Sequence, residues 1–237
     1  MYGAYGPMRI HLAAMSLASL AAPAAAADRN FTVSSFDRIR VDGPYRVRLT
    51  VGVPPFASAR GGAQALDGLA IDIQGRTLVI HNNRTSWGGY SGESIGPVEV
   101  SLGTHELTAA WLNGSGSLAI NEAQGLSFDL SVMGSGSASI DRVAVDQLHV
   151  GLGGSATARL AGSALRMTAF ARGNASLDAA ALATKDVVIA ADGPSVVKAT
   201  ASDTAKVDAI GVAAVTLGGN PSCIVRAKGS ATVEGCR

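Results

Sequence analysis

From residue 116 onward a glycine returns at a near-constant step, each time opening a short run of small or β-branched residues. The runs are Gly116-Ser117-Leu118-Ala119-Ile120, Gly136-Ser137-Ala138-Ser139-Ile140, Gly154-Ser155-Ala156-Thr157-Ala158 and Gly173-Asn174-Ala175-Ser176-Leu177. Gly193-Pro194-Ser195-Val196-Val197, Gly211-Val212-Ala213-Ala214-Val215 and Gly229-Ser230-Ala231-Thr232-Val233 continue the series. The glycines are 20, 18, 19, 20, 18 and 18 residues apart. One coil of this length has nothing to bury its apolar side against, whereas a stack of coils shares one continuous core, so the repeat predicts a solenoid. Val, Ser, Thr and Gly dominate the repeats, which favours strands over helices.

The positions around each glycine support strands. Four residues before it stand Leu112, Val132, Val150, Ala169, Ile189, Val207 and Val225; two after it stand Leu118, Ala138, Ala156, Ala175, Ser195, Ala213 and Ala231. Even offsets are apolar or small and odd offsets are mixed, which is the period of a strand with one buried face. The glycine suits a corner where one strand bends into the next. Seven coils stacked at about 4.8 Å would span roughly 34 Å. The expected fold is all-β: a parallel β-helix of 18–20-residue coils.

The earlier part of the chain is less regular. Arg38–Val41, Tyr45–Val51, Leu69–Ile73, Leu78–Ile80 and Val98–Leu102 alternate or run apolar, with turns at Gly43-Pro44, Val53-Pro54-Pro55 and Gly75. The expected organisation is one domain over residues 28–237. Within it, 28–106 form irregular starting coils that partly act as a cap, and 107–237 form the regular coils.

Residues 1–27 read as an export signal. Arg9 precedes an apolar stretch, Ile10 to Ala22, that is too short to span a bilayer, and Ala25-Ala26-Ala27 supplies a cleavage pattern before Asp28. Met8 is an alternative start. No cysteine follows the cleavage pattern, so a lipid anchor is not expected, and no later apolar run reaches the length of a membrane span. The whole chain has 19 basic and 18 acidic residues, and the leader carries one arginine and no acid. The remainder therefore has no net charge and gives no electrostatic reason to expect nucleic acid. Cys223 and Cys236 are the only cysteines. In an exported chain they read as one disulfide, pinning the last coil against fraying.

The order of these features resembles the head GIN domain family of auto-transporter adhesins. The resemblance rests on Phe36 to Gly43, on Tyr45 to Gly52, and on Leu107 to Gly116 with its Asn113-Gly114-Ser115-Gly116. It is reinforced by the second motif Met133-Gly134-Ser135-Gly136-Ser137. It covers roughly residues 31 to 237 and implies a right-handed, single-stranded β-helix with an envelope or surface role. It brings no catalytic residues. The chain stops just after its last coil, so a translocator barrel, and hence a complete autotransporter, is not expected.

Catalytic and metal chemistry find little support. The serines repeat in a turn context, which argues for geometry rather than for a nucleophile with a base and an orienting acid. His81, His105 and His149 are isolated, and His149 stands on an outward offset, so no zinc site is expected. Gly153-Gly154-Ser155-Ala156-Thr157 lacks the aspartate of a calcium-binding β-roll. No cofactor is expected. A polysaccharide-acting enzyme would need clustered acids in one groove; Asp129, Asp141, Arg142 and Asp146 come nearest.

Binding finds more support. The polar segment 82–92 carries Arg84, Trp87 and Tyr90, whose aromatic rings suit stacking on sugars. Arg38, Arg40, Arg46 and Arg48 alternate and are expected on one outer face, where they would meet anionic envelope polymers. A weaker candidate is an outward Ser/Thr ladder, Ser117, Ser137, Ser155, Ser139, Thr157 and Ser176. These features point to a non-enzymatic exported module of the periplasm or cell surface that binds envelope polysaccharide or a surface protein. The alternatives are a self-assembling envelope scaffold and, third, the polysaccharide-acting enzyme.

Overall fold

The computed structural model describes residues 27–83 and 98–237. The chain runs β1 (Ala27–Phe31), β2 (Arg38–Asp42), β3 (Arg46–Val51), β4 (Phe56–Gly61), the short helix α1 (Ala63–Asp67), β5 (Leu69–Gln74), β6 (Thr77–Asn82), β7 (Glu99–Thr104) and β8 (Ala109–Gly114). Five long, bent strands follow: β9 (Ser117–Gly134), β10 (Ser137–Gly154), β11 (Thr157–Gly173), β12 (Ser176–Asp192) and β13 (Val196–Gly211). The last coil is broken into β14 (Ala214–Gly218), β15 (Ser222–Gly229) and β16 (Thr232–Glu234). All belong to one wrapped 16-stranded sheet, so the fold is the expected β-solenoid.

Each long strand pairs in parallel with the next along its length, and each serves two faces because it bends midway. Face one is built from the starts of the long strands in the order β1-β4-β7-β3-β9-β10-β11-β12-β13-β14-β16. Face two continues β5-β6-β2-β8 into the second halves of β9 to β13 and then β15. Inward side chains alternate with exposed ones on both faces, as the period of two predicts.

The stacking register corrects the repeat frame. Gly134 pairs with Gly114, Gly154 with Gly134, and Gly173 with Gly154. The stacked corner is therefore Gly43, Gly114, Gly134, Gly154, Gly173, Gly193, Gly211 and Gly229, all at positive φ. Gly116 and Gly136 belong to the next inward row, with Ala156, Ala175, Ser195 and Ala213, and have ordinary φ. The sequence frame slipped by two residues between Gly136 and Gly154. Because side chains alternate with a period of two, an even slip exchanges rows without turning any residue inside out. The corner needs glycine for space as well as for φ: a Cβ on Gly154 would stand 2.7 Å from the Gly134 carbonyl oxygen, and one on Gly134 2.6 Å from that of Gly114.

One inward row reads Phe128, Leu148, Met167, Val187, Ala205 and Cys223 from coil to coil. The first five are buried, and Phe128 is wholly so. The spacing of the corner glycines falls from 20 residues between Gly114 and Gly134 to 18 between Gly211 and Gly229.

In the N-terminal region the strands do not stack in chain order. The β2–β3 unit is inserted out of chain order, with β2 between β6 and β8 and β3 between β7 and β9, all in parallel. Antiparallel pairs then close this end: β4 with β7, β1 with β4, and β5 with β6. Arg76, in the β5–β6 turn, ties this hairpin to the body through the buried carboxylate of Asp37 at 2.8 Å and through Glu106 at 2.8 Å. Strands β1 and β4 and helix α1 were missed in the sequence. Phe56-Ala57-Ser58-Ala59-Arg60 has few β-branched residues, and β1 overlaps the end of the presumed leader.

Candidate functional site

Outward positions on face one form two straight rows. The first reads Arg46, Ser117, Ser137, Thr157, Ser176, Val196 and Ala214, each in register with the next. The second, two residues along each strand, reads Arg48, Ala119, Ser139, Arg159, Asp178, Lys198 and Thr216. Their small residues floor a groove of about 520 Å³ running across the strands, parallel to the solenoid axis. Its lining includes Ser117, Ser137, Ser139, Thr157 and Ser176 together with Arg159, Asp178 and Lys198. Each hydroxyl can both donate and accept, so the floor can match a ligand that is itself rich in hydroxyls.

Charge on this face is uneven. At its N-terminal edge Arg60 grips Asp28 through Nε–Oδ1 at 2.6 Å and Nη2–Oδ2 at 2.9 Å. The Arg60 hydrogen bond holds the Asp28 carboxyl below the usual carboxylate range. Arg46 faces Glu99 at 3.9 Å, and Arg159 faces Asp178 at 3.7 Å. Both pairs are long and exposed, and such pairs contribute little. Among the described residues Arg48 and Lys198 have no ion-pair partner. Among the described residues, Asp178 is the only carboxylate lining the groove.

The arginines expected on one face are divided between two. Arg46 and Arg48 stand on face one, but Arg38 and Arg40 lie on β2 and face outward from face two, beside Ala109 and Trp111. Gly43, at φ +136°, turns the corner between the two pairs, and Arg40 is engaged with Asp42 at 2.9 Å. Arg84, Trp87 and Tyr90 lie outside the described residues. The disulfide forms as expected: Cys223 and Cys236 are bonded, with Cα atoms 5.6 Å apart. Ser155 follows the corner glycine Gly154, its N–H donating to the Gly134 carbonyl oxygen, and stands outside the hydroxyl ladder. The four acidic-groove candidates are dispersed. Asp129 stands outward on face two beside His149, while Asp141, Arg142 and Asp146 lie around the turn between the faces, where Arg142 meets Glu122 at 3.4 Å. No group of three or more His, Cys, Asp or Glu side chains suited to a metal occurs among the described residues.

Arg159, Asp178 and Lys198 escaped the sequence reading although a signal existed. Indexed on the true corner glycines, they stand five residues after Gly154, Gly173 and Gly193, as Arg48 stands five after Gly43. The slipped frame placed Asn121 and Asp141 in that column for the first two coils and broke it.

Long parallel coils closed at the N-terminal end by antiparallel strands, with an elongated polar groove on one face, define a β-solenoid. The chain belongs to the family described as "Putative auto-transporter adhesin, head GIN domain", whose model matches residues 35–221. Solved structures share the fold. One described as a "putative adhesin" from Bacteroides fragilis matches with a TM-score of 0.78 at 17% identity, over 88% of this chain and 96% of that one. A "putative lipid binding protein" from Parabacteroides distasonis matches with a TM-score of 0.71 at 16% identity, over 88% and 95%. A "putative adhesin" from Parabacteroides merdae matches with a TM-score of 0.62 at 18% identity, over 88% and 95%. No curated protein matches the chain. Family and structural neighbours are described as adhesins or as lipid-binding, none as an enzyme. No helix among the described residues is long and apolar enough to cross a membrane.

Proposed function

We propose that this protein is a non-enzymatic, exported binding module of the cell envelope, in the periplasm or at the cell surface, that holds a glycan along face one. The observation that carries this reading is the elongated groove, floored by stacked hydroxyls and fixed on rigid, parallel-paired strands. A site on strands needs little ordering on binding, which favours affinity. The leader-like residues 1–27 and the disulfide support export, since disulfides persist in oxidising compartments.

The test is binding of residues 28–237 to a panel of envelope polysaccharides and lipopolysaccharides. Wild type is compared with Thr157→Trp, which fills the groove, and with the double variant Trp87→Ala/Tyr90→Ala. Binding that Thr157→Trp abolishes places the site in the groove. Binding lost only in the double variant moves it to segment 84–97. A wild type that binds no glycan sinks the reading and leaves a protein partner or self-assembly.

A further inference from the structure

The outward row five residues beyond the corner glycines has, among the described residues, a cation without an ion-pair partner toward each end, Arg48 and Lys198, with Ala119, Ser139, Arg159 and Asp178 between them, and the neighbouring row supplies the hydroxyls of Ser117, Ser137, Thr157 and Ser176. Arg48 stands on β3, one strand before the groove, and Lys198 on β13 lines its far end. They are five strand steps apart, or about 24 Å. Between them Arg159 is only loosely satisfied by Asp178, at 3.7 Å with the arginine side chain 79% exposed. Arg46, which faces Glu99 on β7 at 3.9 Å, adds a fourth cation in the neighbouring row. From β3 to β13, four cations on the two rows face the single carboxylate of Asp178, although the whole chain carries a formal net charge of only +1.

We propose that the groove on face one selects an acidic polysaccharide, one whose carboxylate or phosphate groups recur along the chain, lying parallel to the solenoid axis. The proposal rests on the glycan-binding reading of this face and adds its ligand class. A small anion cannot reach both Arg48 and Lys198, so engaging the two requires an extended ligand with repeated negative charge. Between the cations, Ser117, Ser137, Ser139, Thr157 and Ser176 offer donors and acceptors to neutral hydroxyl-bearing units. The groove is two outward rows wide, about 7 Å between row centres. That width suits a single polymer strand. A ligand anion arriving at Arg159 displaces Asp178 from a pair that is already long and solvated, so opening it costs little. Complementary charge of this kind acts mainly on specificity and association rate, and it is screened by salt.

The experiment titrates residues 28–237 with polygalacturonate and with its fully methyl-esterified form, which keeps the sugar backbone and removes the charge. Poly-glutamate and phosphatidylglycerol vesicles serve as anions of other classes. The expected result is binding to polygalacturonate at least about tenfold tighter than to the ester, a difference that collapses as ionic strength rises from ~0.01 M to ~1 M. Arg48→Gln/Lys198→Gln should weaken polygalacturonate binding more than ester binding, so that the acid-over-ester ratio falls severalfold. Asp178→Asn should tighten polygalacturonate binding severalfold, because it frees Arg159. Equal binding to acid and ester, both abolished by Thr157→Trp, would overturn the acidic preference and leave the glycan-binding reading standing. Binding to poly-glutamate or vesicles as tight as to polygalacturonate would overturn the polysaccharide assignment. Binding to neither polymer would overturn the proposal, and a wild type that also failed on the wider envelope panel would take the glycan reading with it.

Discussion

At the scale of single residues, the corner glycines and the glycines in open positions do different work. Gly154 has φ +82° and sits against the Gly134 carbonyl. A side chain there meets both a disfavoured backbone conformation and backbone atoms that cannot move without shifting the neighbouring coil. Gly151, on face two, has an ordinary φ, and its nearest would-be neighbour is the Ser131 hydroxyl oxygen at 3.8 Å. Gly154→Ala should therefore lower unfolding stability by about 1–3 kcal/mol or more, whereas Gly151→Ala should stay within about 0.5 kcal/mol of wild type. Chemical denaturation of the two variants checks this, and similar losses for both would show that the corner is not the strained element. The alternation of inward and outward residues was legible in the sequence at this scale. The identity of the corner glycines was not, because Gly-Ser-Gly offers two glycines in the same alternation phase and only the pairing register distinguishes them.

At the scale of elements, the β5–β6 hairpin shows how the cap is held. Asp72 on β5 accepts from His81 on β6 at 2.8 Å, while the other ring nitrogen of His81 lies 3.0 Å from the Asn82 carbonyl oxygen. The Asp72 hydrogen bond first, and the Asn82 carbonyl second, raise the His81 pKa above its ordinary 6.5. A raised folded-state pKa means that the folded hairpin binds the proton more tightly than the unfolded chain does. The stabilisation is thus complete below about pH 6.5 and is lost as pH rises through the folded value. Amide exchange of β5 and β6, followed from acid to mildly alkaline pH, should show protection falling over that interval in wild type but not in His81→Gln. A flat profile in wild type would remove this pair from the cap's stability. Both strands of this hairpin were readable from their apolar runs. Their antiparallel pairing, and the insertion of β2–β3 between strands that follow them in the chain, were not. Such placements depend on which edges are left open once the coils have stacked, and no local pattern records that.

At the scale of the whole molecule, the two ends differ. The N-terminal end is closed by α1 and by antiparallel strands. At the C-terminal end β15 pairs on one side only, with β13, and its Ile224 and Val225 are 65% and 41% exposed. Two features blunt that edge: the cations Arg226 and Lys228, and the bond from Cys223 to Cys236 across a separation of 13 residues. A loop of this length is stabilised by about 3 kcal/mol in the chain-entropy picture. Cys223→Ser/Cys236→Ser should therefore speed amide exchange in β15 and β16 well before it affects β9–β12, and should increase self-association in sedimentation. Unchanged exchange at the end coil would mean that strand pairing alone secures it.

The sequence by itself determined the solenoid, its approximate coil length, the buried side of every regular strand and the disulfide. These follow from periodicity and from residue chemistry, which act locally and repeat. Tertiary structure alone decided which glycines turn the corner, how the cap is threaded and which charges share a face. Arg38 and Arg46 stand eight residues apart in the chain yet point from different faces, while Arg48 and Lys198 are brought into one row by stacking. A coil's register against its neighbours sums contacts made along its whole length, and that sum, not the local pattern, places the charges that line the groove.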